Sequence, residues 1–102
     1  MKLGAEELAA QLPALDGWTY AADRGGLLSK EFRFEDFIRA FGFMAQVALH
    51  AERMNHHPEW FNVYNRVSVT LTTHDVDGVS SKDIEMAQLM NRISAASAAA
   101  QA

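Results

Sequence analysis

Apolar residues recur along this chain with two periods, and the switches between them divide it into elements. Leu3, Leu8 and Leu12 have the spacing of a short helix over residues 2–12. Glu6 and Glu7 fall in its first turn, where the positive end of the helix dipole favours acids. Pro13 and then Asp16-Gly17 end it in a turn. Residues 18–22 (Trp-Thr-Tyr-Ala-Ala) and 27–34 predict two strands, and Asp23-Arg24-Gly25-Gly26 supplies the turn chemistry of a hairpin between them. In the second strand Leu28, Lys30, Phe32 and Phe34 share one parity and are expected to face the core, with Lys30 near an edge.

From Glu35 to about Asn55 the period is helical. Phe37, Ile38, Phe41, Met44, Ala45, Ala48 and Ala51 make up the stripe, and Glu35-Asp36 suit the N-terminal turn. Phe34, Phe43, Val47 and Leu49 lie off the centre of that stripe, so the helix is apolar over more than one face. A helix laid on a small sheet buries one face, and the other is expected to pack against another subunit, with Phe41, Phe43 and Val47 in the contact; scattered surface hydrophobes are the alternative. Pro58 stops the helical pattern, because proline lacks the N–H and crowds the preceding turn.

Residues 60–64 and 67–73 read as two further strands with a tight turn at Asn65-Arg66, one bent strand through Asn65 being the competing reading. Val67, Val69 and Leu71 alternate with Ser68, Thr70 and Thr72, as in a strand covered on one face. Asp77-Gly78 marks a loop, and Ser80-Ser81-Lys82-Asp83 is a capping-box pattern opening a last helix with Ile84, Ala87, Met90 and Ile93 as its stripe. The Ala- and Ser-rich tail from Ser94 to Ala102 is expected to continue the helix and then fray. The order is α-β-β-α-β-β-α. The fold class expected is α+β, one domain over residues 1–102 with helices on one face of a four-stranded antiparallel sheet.

Composition narrows the chemistry. Nine Lys and Arg against thirteen Asp and Glu leave a formal charge of −4, which argues against nucleic acid as a partner. With no cysteine, disulfides, thiolate catalysis and sulfur-ligated zinc are excluded. The first residues carry acids where a signal peptide needs an apolar core, and no apolar run approaches the ~20 residues of a membrane span. A cytoplasmic location without membrane contact is the expectation.

Three of the four histidines, at 56, 57 and 74, lie within nineteen positions, two at a helix exit and one at a strand exit. Elements of this size can bring them together. Three imidazoles can hold zinc, although adjacent His56 and His57 diverge and no HxH or HxxxH pair exists. They can be structural, one of them at a helix C-terminus where a cation is favoured. They can also serve general acid–base chemistry, since imidazole titrates near neutrality. The residues alone leave these open.

The run Ala51-Glu52-Arg53-Met54-Asn55-His56-His57-Pro58-Glu59-Trp60-Phe61-Asn62-Val63-Tyr64-Asn65 resembles the signature of the pterin-4a-carbinolamine dehydratase family. So do Val67-x-Val69-x-Leu71-x-Thr73-His74 with Gly78, Ser80 and Asp83, and upstream Gly17-Trp18, Phe32-x-Phe34 and the Phe37…Phe41…Val47-Ala48 helix; the resemblance covers roughly residues 15–93. It implies dehydration of 4a-hydroxytetrahydropterin, the product left by aromatic amino-acid hydroxylases, to quinonoid dihydropterin and water, in the recycling of a tetrahydrobiopterin-type cofactor. That reaction needs no metal, redox cofactor or covalent intermediate.

The resemblance further implies proton transfer by His56 and His74, and substrate contact and orientation by His57. It sets Pro58, Thr73, His74, Asp75 and Val76 at the pterin; the assembly expected from the second apolar face of the 35–55 helix is a homodimer or homotetramer. Glu52, one turn before His56, is an orienting candidate for that histidine and equally a solvated acid. Asp83 is chiefly the capping carboxylate, with orientation of His74 as a second role. Trp60 reads as core before site wall, and His50 is given no chemistry. Animal members of the family also bind a homeodomain transcription factor as a dimerisation cofactor, so a non-catalytic interaction protein is the alternative function.

Overall fold

Val67, Val69 and Leu71 project to one side of strand β4 (Arg66–Leu71) and are buried, while Ser68 and Thr70 project to the other. That strand is the axis of the computed structural model, which describes residues 1–101, with side chains through Ser97. It pairs antiparallel with β2 (Leu27–Arg33) on one side and β3 (Glu59–Val63) on the other. β1 (Thr19–Ala21) adds outside β2, giving the order β1-β2-β4-β3. Helices α1 (Ala5–Gln11), α2 (Phe37–Met54) and α3 (Ser81–Gln101) complete the expected α+β order.

The register Leu28↔Leu71 and Phe32↔Val67 puts the apolar parity of both strands on one face. Lys30 shares that face, at the point where β1 stops pairing at Thr19↔Ser29. Its stem packs there, with Nζ 4.6 Å from the Phe32 ring centroid and donating to the Asp16 carbonyl and to Asn91 Oδ1, both at 2.8 Å. Aliphatic lysine stems cover apolar surface in this way while the ammonium keeps polar partners.

α2 lies on the sheet, rotated from the expected orientation. Ala40, Phe43, Val47 and Ala51 are its buried residues, whereas Phe37, Ile38, Phe41 and Leu49 are 46%, 74%, 56% and 68% exposed. Two apolar stripes compete for the sheet. The winner places Phe43 between Phe32 and Phe34, at ring-centroid distances of 4.8 and 5.0 Å, with small Ala40 and Ala51 above and below to let the helix approach. Phe43 and Val47 therefore belong to the protomer's own core, and only Phe41 of the expected subunit contacts is exposed. Phe37 and Phe41 face outward together, 5.7 Å apart.

The start of α1 and the β3–β4 turn differ from the expectation, and the C-terminal tail follows it. α1 starts at Ala5 because the residues before it are drawn into extended pairing: Leu3 donates to the Val79 carbonyl at 2.8 Å, and Lys2 bridges Ser80. The β3–β4 connection is a hairpin, and its turn is Tyr64-Asn65, since Val63 and Arg66 are already paired; Tyr64 takes the left-handed φ of 51°. α3 carries the Ala/Ser tail to Gln101, while fraying at Ala102 lies outside the described residues.

The rotated α2 has a measurable consequence. Phe43→Ala should lower the unfolding free energy by about 3–5 kcal/mol in urea denaturation, as expected for a buried ring. Phe41→Ala, half exposed in the protomer, should cost distinctly less; the reverse order would mean that the other stripe faces the sheet.

Candidate active site

Beyond the C-terminal end of α2 the chain turns through Asn55, which adopts the left-handed conformation (φ 52°, ψ 43°). Asn55 N–H donates to the Glu52 carbonyl at 3.2 Å and His56 N–H to the Ala51 carbonyl at 3.0 Å. This six-to-one and five-to-two pair is a Schellman ending. It reverses the chain so that His56 turns inward and His57 outward. The two imidazoles, adjacent in sequence, are 8% and 57% exposed.

A cleft of about 370 Å³ opens at this corner, lined by Asn55, His56, His57, Pro58, Glu59, Thr72, Thr73, His74, Asp75 and Lys82. The end of α2, the start of β3, the segment after β4 and the first turn of α3 all contribute. Of the residues singled out from sequence, His56, His57, Pro58, Thr73, His74 and Asp75 are thus brought to one cavity. Val76 sits in the same short 3-10 turn as His74 (His74–Val76) but does not line it. Glu52 and Asp83 stand behind the wall.

Each imidazole has one carboxylate. His56 Nε2 lies 2.6 Å from Asp83 Oδ1, with Asp83 fully buried. The other Asp83 oxygen, Oδ2, accepts from Thr73 Oγ1 at 2.7 Å and from Ser80 N–H at 2.9 Å, which is the Asp83 arm of the expected capping box; Ser80 Oγ accepts from Lys82 N–H at 3.2 Å in place of Asp83 N–H. Thr73 has a single hydroxyl proton and spends it on Asp83. The 2.7 Å contact between Thr73 Oγ1 and Ser80 Oγ therefore runs from Ser80 to Thr73. An ionised Asp83 can only accept, so His56 donates from Nε2, which leaves Nδ1 as the acceptor nitrogen of the ring.

His57 Nε2 is 2.9 Å from Glu52 Oε1, and His74 Nε2 is 3.5 Å from Glu59 Oε2. These partnerships differ from the expected ones. Glu52 serves His57 and not His56, because the left-handed Asn55 swings His56 off the helical i, i+4 position and His57 onto the Glu52 side. Asp83 serves His56 and not His74, because the His74 ring points out from its turn and is 77% exposed. Trp60 packs partly buried against the core and is not a lining residue.

Sequence reasoning assigned no role to Glu59 or Arg24. Arg24 donates to Glu59 through Nη1 to Oε1 at 2.8 Å and Nη2 to Oε2 at 2.6 Å. These bonds hold the Glu59 carboxyl below the usual glutamate value. The parity of β3 could have placed Glu59 away from the core with Phe61 and Val63, but nothing local points to a partner 35 residues upstream. Among the described residues no group of three His, Asp or Glu side chains is arranged to hold a metal ion. None of the described helices is long and apolar enough to cross a membrane.

The family model described as Pterin 4 alpha carbinolamine dehydratase matches residues 1–93. A protein of Burkholderia vietnamiensis named "Putative pterin-4-alpha-carbinolamine dehydratase" is 53% identical over 94 residues, spanning 92% of this chain and 91% of that protein. One of Sinorhizobium fredii with the same name is 52% identical over 94 residues, spanning 92% and 89%. The crystal structure of a Brucella melitensis protein described as a transcriptional coactivator/pterin dehydratase matches with a TM-score of 0.88 at 52% identity, over 92% of this chain and 99% of that one.

The buried His56–Asp83 contact predicts a large stability cost when one partner is removed. Asp83→Ala strands the His56 imidazole, the Thr73 hydroxyl and the Ser80 N–H. It should lower the unfolding free energy by about 3–5 kcal/mol. Glu52→Ala, whose carboxylate is 83% exposed, should change it by less than about 1 kcal/mol in the same denaturation experiment.

Proposed function

The chain belongs to the pterin 4 alpha carbinolamine dehydratase family, and from that premise we propose that it converts 4a-hydroxytetrahydropterin to quinonoid dihydropterin and water by general acid–base catalysis at His56, His57 and His74. The observation that carries this reading is the set of three carboxylate-paired imidazoles around one cleft. Loss of water breaks the C4a–O bond and the N5–H bond. The N5 electron pair becomes the second bond to C4a, an acid gives the departing oxygen a proton, and a base takes the proton from N5. Hydroxide is a poor leaving group, so the acid matters as much as the base.

The three environments suit a division of labour. His56, fixed by Asp83, presents one nitrogen in a set orientation and carries proton transfer. His74, open to solvent, carries the other transfer. His57 contacts and orients the ring, with Pro58, Thr73 and Asp75 beside it. The Val76 backbone, on the far side of the His74 turn, belongs to the same support. Each turnover leaves one group short of a proton and another with one too many, and exchange with water through the exposed imidazoles resets both. No metal, redox cofactor or covalent intermediate enters this scheme. The same reading sets the protein in the cytoplasm, in tetrahydrobiopterin-type cofactor recycling beside an aromatic amino-acid hydroxylase.

We further propose a homodimer or homotetramer assembled on the outward face of α2, where Phe37, Ile38, Phe41 and Leu49 are exposed. Each such side chain contributes about 1.5–3 kcal/mol on burial before the entropy of association is subtracted. That face is also what favours a second reading, an interaction protein without catalysis, and the Brucella melitensis relative is described as a coactivator as well as a dehydratase.

Two experiments test these proposals. With enzymatically generated 4a-hydroxytetrahydropterin, His56→Ala and His74→Ala should each lower kcat by roughly 10-fold or more, and together further. His57→Ala should raise KM more than it lowers kcat, and chelator should change nothing. A triple alanine variant that still dehydrates at the wild-type rate would overturn catalysis by these histidines, and wild-type protein that does not speed the reaction would leave only the interaction reading. In light scattering, a species of 11.3 kDa at micromolar concentration would refute assembly through α2.

A further inference from the structure

Arg24 sits in the turn between β1 and β2 with a left-handed φ of 57°, a conformation costly for a non-glycine residue. That strained position aims the guanidinium across the molecule at Glu59, the first residue of β3. The two parallel bonds, 2.8 and 2.6 Å, form a fork that fixes the plane of the carboxylate as well as its distance. The oxygen held at 2.6 Å is the same Oε2 that faces His74 Nε2 at 3.5 Å.

We propose that Glu59, locked in place by Arg24, is a positioning residue for His74, so that the β1–β2 turn is a remote support of the reaction site. The inference rests on reading His74 as a proton-transfer group. The His74 ring is 77% exposed, so packing does not set its orientation. A fixed anion beside one nitrogen does set it, as carboxylates do for catalytic imidazoles in general. The 3.5 Å separation is long for a hydrogen bond, and such contacts tighten when substrate is bound.

The turn steadies the backbone under His74 too. Thr72 Oγ1 donates to the Gly26 carbonyl at 2.8 Å, and Gly25 packs so closely on Asp77 that a Cβ there would fall on the Asp77 carbonyl oxygen. One four-residue turn thereby holds both the loop that carries the imidazole and the carboxylate that aims it. Besides Arg24 and Glu59, the charged and titratable groups around His74 are His56 and His57 from the α2 exit, Lys82 from α3, and Asp75 and Asp77 on its own loop. Glu59 is distinguished from the two aspartates by the two bonds from Arg24 that fix its carboxylate in place. Since Arg24 and Glu59 are 47% and 43% exposed, the pair contributes little to stability, and its loss should appear in catalysis before it appears in folding.

The test is a double-mutant cycle with a pH profile. Glu59→Gln keeps the shape and one acceptor for Arg24 but removes the charge. It should lower kcat roughly 3- to 10-fold with an unchanged melting temperature, and E59Q/H74A should be no slower than H74A alone. The limb of the kcat/KM profile that disappears in H74A should move to lower pH in E59Q, because the imidazolium loses its neighbouring anion. It should move to higher pH in Arg24→Gln, which removes the cation and leaves the anion. A merely structural pair would not shift the limb in opposite directions. If H74A itself runs at the wild-type rate, the role of His74 falls. If H74A is slow but E59Q matches wild type, or adds its full effect to H74A, or leaves the limb in place, the positioning role of Glu59 is overturned.

Discussion

The Asp83 carboxylate is where three separate elements close on one another. It opens α3, takes the Thr73 hydroxyl from the segment after β4, and receives His56 from the exit of α2. A buried charge is tolerated only when its lone pairs are all occupied, and the helix N-terminus adds its own favourable field. Each partner is therefore a requirement of the others. Because every hydroxyl proton in the cluster is committed, the network runs in one direction, from Ser80 through Thr73 to Asp83, and the His56 ring has one plane available to it. A feature that begins as a helix cap thus fixes an imidazole of the cleft.

From that corner outward the three imidazole–carboxylate pairs grade from dry to wet: Asp83–His56 is buried, Glu52–His57 and Glu59–His74 are open. The grading comes from the backbone. A left-handed Asn55 sends consecutive histidines to opposite environments, and a 3-10 turn beyond β4 lifts His74 toward solvent. Strength of orientation and ease of proton exchange are opposed properties, and one cleft here holds both.

Much of this was legible in the sequence. Strict alternation at Val67, Val69 and Leu71 marks a strand covered on one side, and Ser80-x-x-Asp83 marks a helix start; both features are local and unambiguous. The α2 orientation was not legible, because Phe41 and Phe43 both lie on helically spaced apolar stripes. What decides between them is the pair of rings at Phe32 and Phe34, which is a property of the sheet and not of the helix. The cluster of histidines was visible, yet its carboxylate partners were misassigned. Helical spacing points Glu52 at His56, and only the left-handed turn at Asn55, invisible to periodicity, hands Glu52 to His57. The Arg24–Glu59 clamp depends on the β1–β2 turn and the start of β3 lying at the same end of the sheet, a fact of topology.

The contact between Gly25 and the Asp77 carbonyl has a consequence for how this fold can be altered. In a small antiparallel sheet the tip of a hairpin is ordinarily the freest place to lengthen the chain or graft a foreign segment, since nothing rests on it. Here the β1–β2 tip is wedged under a loop some fifty residues downstream. A Cβ at Gly78 would in turn crowd the Gly25 carbonyl oxygen. The position looks like a surface loop in the primary structure but behaves as a joint. Length variation and engineered insertions are closed off there, and the site's geometry is protected at a distance by a residue that has no side chain at all.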